Sequence, residues 1–169
     1  MPKRTQATWV GGDFQEPPRN EGGIALCGAC RANGACRIGL TSERLDEEST
    51  AHFELICSPD HEGGPGVAHG GWVSSVFAEV LGHVPLLHHR LCVTATLTVH
   101  YVKPIPIDRP LIARAWVDRR DGEKWFVSGE LVLESSGALL ATGTAVLIER
   151  EQQSHFGAFQ DWLAEQDAR

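Results

Sequence analysis

From residue 92 onward the chain is built almost wholly of strand-forming runs, and that succession narrows its fold more than anything else in it. In VTATLTVHY, Val93, Ala95, Leu97, Val99 and Tyr101 alternate with Thr94, Thr96, Thr98 and His100, the period-two pattern of a strand with one buried face. Pro104 and Pro106 close the run. The stretches 110–119 and 124–134 flank RDGE, whose Asp121-Gly122 supplies the positive φ values of a tight hairpin turn, and Ser136-Gly137 does the same before 138–149. These three runs predict a meander. Upstream, 37–45 and 50–57, joined by the polar LDEEST, predict a further hairpin. A single long helix, starting near His69, separates the two groups of strands. The economical arrangement is an α+β layer fold in which a curved antiparallel sheet wraps one central helix.

The helix has two unlike faces. Trp72, Val73, Val76, Phe77, Val80 and Leu81 recur at helical spacing and predict the face that lies on the sheet. Gly71, Ser74, Ser75, Ala78, Glu79 and Gly82 fall on the other side. A solvated face would carry several long charged residues, whereas this one carries only Glu79, so it suits the close approach of a second backbone, a partner helix or a ligand. At the helix start, Gly70 and Gly71 have no side chains to screen the first amides, which the helix leaves without partners and whose dipole favours negative charge. They suit either an oxyanion developing in acyl transfer or a tight turn with close packing. His69 before them suits a cap or a site residue.

The 169 residues allow one domain with appendages. We expect a flexible arm over 1–25, where Gly-Gly recurs and Pro-Pro interrupts, a main domain over 26–150, and a C-terminal helix over 151–169 with Phe156, Phe159, Trp162 and Leu163 on one face. A net charge of −7 argues against a general nucleic-acid binder. No apolar run reaches membrane-spanning length, and the N-terminus lacks an export-type apolar stretch, so a cytoplasmic protein is expected.

Three of the five cysteines, Cys27, Cys30 and Cys36, lie within a ten-residue knuckle, 27–36. The Cys-x-x-Cys spacing lets two thiolates share a metal. If the first hairpin turns between residues 46 and 47, Cys36 and Cys57 face each other, and the four cysteines would complete a structural zinc site, with His61 as the substitute ligand. Packing thiols and a redox pair are the alternatives.

The stretch HEGGPGVAHGGWVSSVFAEVLG resembles the HGG-type hotdog acyl-CoA thioesterases of the PaaI-like and 4-hydroxybenzoyl-CoA thioesterase superfamily, through His61, Gly63, Pro65, Gly66, His69, Gly70 and Gly71. The likeness extends through LTVHYVKPIP to GALLATGTAVLI, about 37–149. It implies the hotdog fold, a homodimer or homotetramer, and hydrolysis of an acyl-CoA thioester at the subunit boundary with no cofactor required. In those terms Gly70 and Gly71 polarise the carbonyl, Glu79 activates water or attacks, and His69 orients the site. His61, Gly63, Ser75 and Lys103 are the substrate-binding candidates, with Arg119, Arg120 and Lys124 as further partners for phosphates. One departure stands out: Ala78 occupies the position where many members have Asp. A non-hydrolytic hotdog protein that binds acyl-CoA, or a cysteine knuckle acting as an interaction module, are the competing readings.

Overall fold

The computed structural model describes residues 15–168. Its main sheet contains β1 (Leu40–Leu45), β2 (Ala51–Ile56), β5 (Cys92–Tyr101), β6 (Pro110–Asp121), β7 (Lys124–Leu133) and β8 (Leu139–Glu149). All neighbours are antiparallel, in the order β1-β2-β6-β7-β8-β5. A small ribbon of β3 (Glu62–Gly64) and β4 (Val67–Ala68) leads into α1 (Gly70–Leu87), and α2 (Gln152–Asp167) ends the chain. The α+β reading holds: one helix packs against an antiparallel six-stranded sheet, with the meander of β6, β7 and β8 joined at the expected turns.

The six residues expected to face the sheet from α1 are all buried, Val76, Phe77, Val80 and Leu81 completely. Their seat is made of glycine. Gly129 of β7 and Gly143 of β8 are paired across the two strands. A Cβ on Gly143 would lie 2.3 Å from the Phe77 ring, and one on Gly129 would lie 2.9 Å from a Leu81 methyl. The paired glycines open a groove in the sheet surface, and two consecutive turns of the helix drop into it. Phe53, Leu55, Ala113, Ala115, Leu131, Ala141 and Leu147 complete the core around this contact.

Three expectations need correction. The first hairpin turns later than its pattern suggests, because Asp46 organises residues 46–50: its carboxylate accepts from the amides of Glu48 and Thr50 and pairs with His52. Leu45 therefore pairs with Ala51, and Leu40 with Leu55 across a bulge, so Cys36 lies outside the strand and does not face Cys57. The regular alternation of β5 is broken by a bulge between Thr94 and Thr96, where Ala95 is exposed; it resumes with half-buried Leu97 and Val99, while Tyr101 at the strand's end is exposed. The end of the expected arm is also packed against the sheet. Residues 1–14 lie outside the described residues, but Ile24, Ala25 and Leu26 are buried beside β1. The α2 helix forms as expected, though Phe159, Trp162 and Leu163 on its apolar face are solvent-exposed.

The groove generates a stability prediction. Gly143→Ala should destabilise the fold by about 1–3 kcal/mol, the usual cost of overpacking a closed core, and adding Phe77→Leu should return part of the loss. Urea unfolding followed by far-UV circular dichroism measures both.

Candidate active site

Seating Phe77 and Leu81 in the sheet turns the small face of α1 outward. Gly71, Ser75 and Ala78 are exposed, and Glu79 and Gly82 are half-buried. Two concavities lie along this helix, one at its start and one beside its third turn.

At the start, the β3–β4 ribbon delivers the chain into the helix. The His69 amide donates to His61 O at 2.7 Å, and the Ala68 amide to Ile105 O at 2.8 Å. Gly63 has to be glycine here, because a Cβ would come within 2.8 Å of His69 Cα. His69 is the N-cap, and its Nδ1 accepts the Gly71 N–H at 2.9 Å. That bond corrects one expectation: the Gly71 amide is held by a side chain of its own turn. Gly70, the first helical residue, keeps an amide for which the helix has no partner. The Gly70 carbonyl accepts from the Tyr101 hydroxyl at 2.9 Å, and that hydroxyl is 2.8 Å from Ser74 Oγ. Gly70, Val73, Tyr101, Lys103 and Pro104 line a cleft of about 350 Å³.

The remaining candidates separate. Lys103 is in the cleft, whereas Arg120 pairs with Glu149 at 2.8 Å and covers the Trp125 ring, and Arg119 covers Phe126. Ser75 sits on the small face with its hydroxyl donating to Gly71 O at 2.9 Å. His61 has a packing role, its ring against Trp72 and its Nε2 at 3.2 Å from Arg37 O.

Further along α1, Glu79 belongs to a chain of charged groups in which sequence reasoning missed all but the first member. Glu79 Oε1 is 3.2 Å from His83 Nε2, and His83 Nδ1 is 2.5 Å from Glu43 Oε2. The other oxygen of Glu43, whose side chain is wholly buried, accepts from Arg19 at 2.5 Å and from the Ala25 amide at 2.9 Å. Burial opposes the charged form of His83, but the hydrogen bonds it donates to Glu43 and Glu79 and their negative charge overcome it, raising its pKa to about 9. Burial likewise opposes Glu43 ionisation, and the His83 contact, the Ala25 amide and Arg19 reverse it, so its pKa is lowered. At neutral pH His83 is an imidazolium with both nitrogens donating. The spacing of Glu79 and His83, one helical turn, was the available signal; Glu43, on a distant strand, offered none. This edge of α1 opens on a cavity of about 370 Å³ lined by Ala78, Glu79, Gly82, His83, Thr94 and Cys27 among others.

The knuckle does not build the expected zinc site. Cys57 is buried with its thiol directed to Ser58 O, and among the described residues no set of three or more His, Cys, Asp or Glu side chains is arranged to hold a metal ion.

Residues 65–139 match the family model described as the thioesterase superfamily, and solved structures of that superfamily share the fold. The chain has the hotdog fold, and its residues 65–139 are similar to the thioesterase superfamily. Acyl-coenzyme A thioesterase THEM4 of Xenopus laevis is 31% identical over 103 residues, which cover 59% of this chain and 46% of that protein. The chain thus spans less than half the length of the curated relatives it matches. A phenylacetic acid degradation-related protein of Ralstonia eutropha superposes with a TM-score of 0.60 at 21% identity, covering 75% of this chain and 93% of that one. A Streptococcus pneumoniae hypothetical thioesterase solved with coenzyme A superposes with a TM-score of 0.60 at 14% identity, covering 66% and 86%. In the hotdog domain described here, the matched segment starts in the β3–β4 ribbon and includes the whole of α1. No helix of the described residues is long and apolar enough to cross a membrane.

The charge chain sets a pH dependence. The pKa of His83 is higher folded than unfolded, so its contribution is complete below about pH 6.5 and is lost as pH rises through about 9. The lowered Glu43 pKa works in the opposite sense, contributing above about pH 4.5 and failing as pH falls through its folded value. The thermal midpoint should therefore hold between about pH 5 and 6.5 and decline toward pH 9. His83→Gln should lower stability by about 3 kcal/mol, since it takes away the cation facing one oxygen of buried Glu43 while Arg19 and the Ala25 amide hold only the other, and should flatten the alkaline decline. Scanning calorimetry across pH checks both.

Proposed function

We propose that the chain hydrolyses an acyl-CoA thioester, at a site shared by two copies. The observation that carries this reading is the pairing, on one helix, of an open N-terminal amide at Gly70 with a carboxylate, Glu79, held in place by a charged histidine. The relatives named as acyl-coenzyme A thioesterases and the neighbour solved with coenzyme A support the choice of substrate.

Gly70 and Glu79 are nine residues apart, about 13 Å of helix rise, so one chain cannot bring both to the same carbonyl. A second copy related by a twofold axis can. The β5 edge supports that arrangement: it is ten residues long, carries no Lys, Arg, Asp or Glu, and ends the sheet. A long uncharged edge is a template for pairing with another strand. The opposite edge, β1, has Ile24, Ala25 and Leu26 packed beside it. The copies thus join at β5 into a homodimer, which can pair again into a tetramer, with the small faces of α1 turned toward the shared sites.

In this scheme the thioester carbonyl accepts a hydrogen bond from the Gly70 amide of one copy, whose position is fixed by Tyr101 and Ser74. Glu79 of the other takes a proton from water, which attacks the carbonyl carbon. The oxyanion collapses, the C–S bond breaks, and the proton passes from Glu79 to the departing thiolate. His83 orients the carboxylate, and Glu43 balances the imidazolium charge. Lys103, beside the Gly70 cleft, offers a cation to coenzyme A phosphates. Side chains and amides suffice for every step.

Ala78, exposed on the small face where the family commonly has Asp, favours a second reading in which acyl-CoA binds without turnover. Thiol release from acetyl-, medium-chain and aromatic acyl-CoA distinguishes the two. We expect hydrolysis of at least one of them, and a fall of at least about tenfold to a hundredfold in Glu79→Gln, the scale of losing a general base, with the dimer and the far-UV spectrum unchanged. Tight binding with no thiol release by the wild-type chain would support the second reading, and full activity in Glu79→Gln would remove Glu79 from the mechanism.

A further inference from the structure

Cys27 and Cys30 take no part in the chemistry above, yet the fold places them together with care. The amides of Cys30 and Arg31 both donate to Cys27 O, at 3.0 and 3.2 Å, so the two cysteines share one tight turn. The Cys30 N–H to Cys27 O bond closes a turn of the kind whose end Cα atoms lie less than about 7 Å apart, the separation a disulfide spans. The turn is anchored on its N-terminal side by buried Ile24, Ala25 and Leu26 and by the Ala25 amide on Glu43, so its backbone is held in place.

The two thiols have unlike surroundings. Cys27 is exposed and lines the cavity that Glu79 and His83 also face. Cys30 is 3% exposed; burial raises its pKa, and the Arg37 amide, donating to its sulfur at 3.3 Å, works against that rise. An exposed thiol beside a buried one suits attack by the first and resolution by the second.

We propose that Cys27 and Cys30 form a reversible dithiol–disulfide site on the rim of the Glu79 cavity, oxidised by low-molecular-weight disulfides. The Cys27 thiol gives up its proton, and the thiolate attacks one sulfur of the small disulfide. That S–S bond breaks, and the first small thiol leaves with the proton. Cys30, deprotonated in turn, attacks the Cys27 sulfur of the mixed disulfide, forming the internal bond and releasing the second small thiol. Two protein thiols are oxidised and one small disulfide is reduced to two thiols. The rim of the cavity changes from a free thiol to a disulfide, which couples the lining of the site to the ambient thiol–disulfide ratio.

The test uses the full chain, reduced, desalted, incubated with oxidised glutathione, alkylated in denaturant and digested with trypsin. The peptide 20–31 contains both cysteines and no other. It should be recovered unalkylated and two hydrogens lighter than its reduced form, and dithiothreitol should restore both alkylation sites. Cys30→Ser should instead trap glutathione on Cys27, because the resolving thiol is gone. Double alkylation of 20–31 after oxidant, or no trapped adduct in Cys30→Ser, would overturn the proposal. So would zinc copurifying with the chain and shielding both thiols from alkylation. The readout is independent of thioester turnover, so a failure here and a failure of the proposed hydrolysis are separate results.

Discussion

The depth at which α1 sits on the sheet governs the rest of the molecule, and it is set by the absence of two side chains. With Gly129 and Gly143 opposite each other, Phe77 and Leu81 enter the sheet surface, and any Cβ there would lift the helix. Close packing makes such contacts discrete. Once these two turns are seated, rotation about the helix axis is settled. Gly71, Ser75 and Ala78 point outward, Glu79 and His83 lie along the edge nearest β1, and the Gly70 amide opens beside Tyr101 and Lys103. The site is a consequence of how the helix is held.

The price of that geometry is a charged histidine in the interior. An isolated imidazolium there would surrender its proton, and it is kept by Glu43 on one nitrogen and Glu79 on the other. Glu43 in turn needs more than one partner, and finds Arg19 and the Ala25 amide. The same carboxylate therefore orients the site, through His83, and ties down the segment that carries Cys27 and Cys30. Electrostatic satisfaction of one buried group joins three parts of the chain that are remote in sequence: β1, α1 and residues 19–30.

Much of this was legible before any coordinates. The strands of the meander, the helix and its two faces follow from local periodicity and from turn residues such as Asp121-Gly122, because those signals act over a few neighbouring residues. What escaped depends on contacts between distant ones. The turn at 46–50 is set by how Asp46 caps its own loop, and a small error in its centre moved Cys57 to the wrong partner. His83 was overlooked because its meaning lies in Glu43, forty residues away. The oxyanion role was assigned to both glycines, since nothing in HGG says that His69 turns back to hold the Gly71 amide. In α2 the helical spacing was right, yet Phe159, Trp162 and Leu163 remain uncovered, because periodicity reports a face and not what lies against it.

The central claim is that one copy's Gly70 and another's Glu79 serve a single thioester. Mixing two inactive variants tests it directly. Gly70→Pro deletes the donor while keeping the helix, since proline is favoured at the first helical position and the extended His69 before it, at φ −63° and ψ 137°, suits a residue preceding proline. Glu79→Gln deletes the base. Unfolded together in equal amounts and refolded, the two should form mixed dimers with one intact site each, restoring about a quarter of wild-type acyl-CoA hydrolysis. Mixed dimers that form and remain as inactive as their parents would contradict the account.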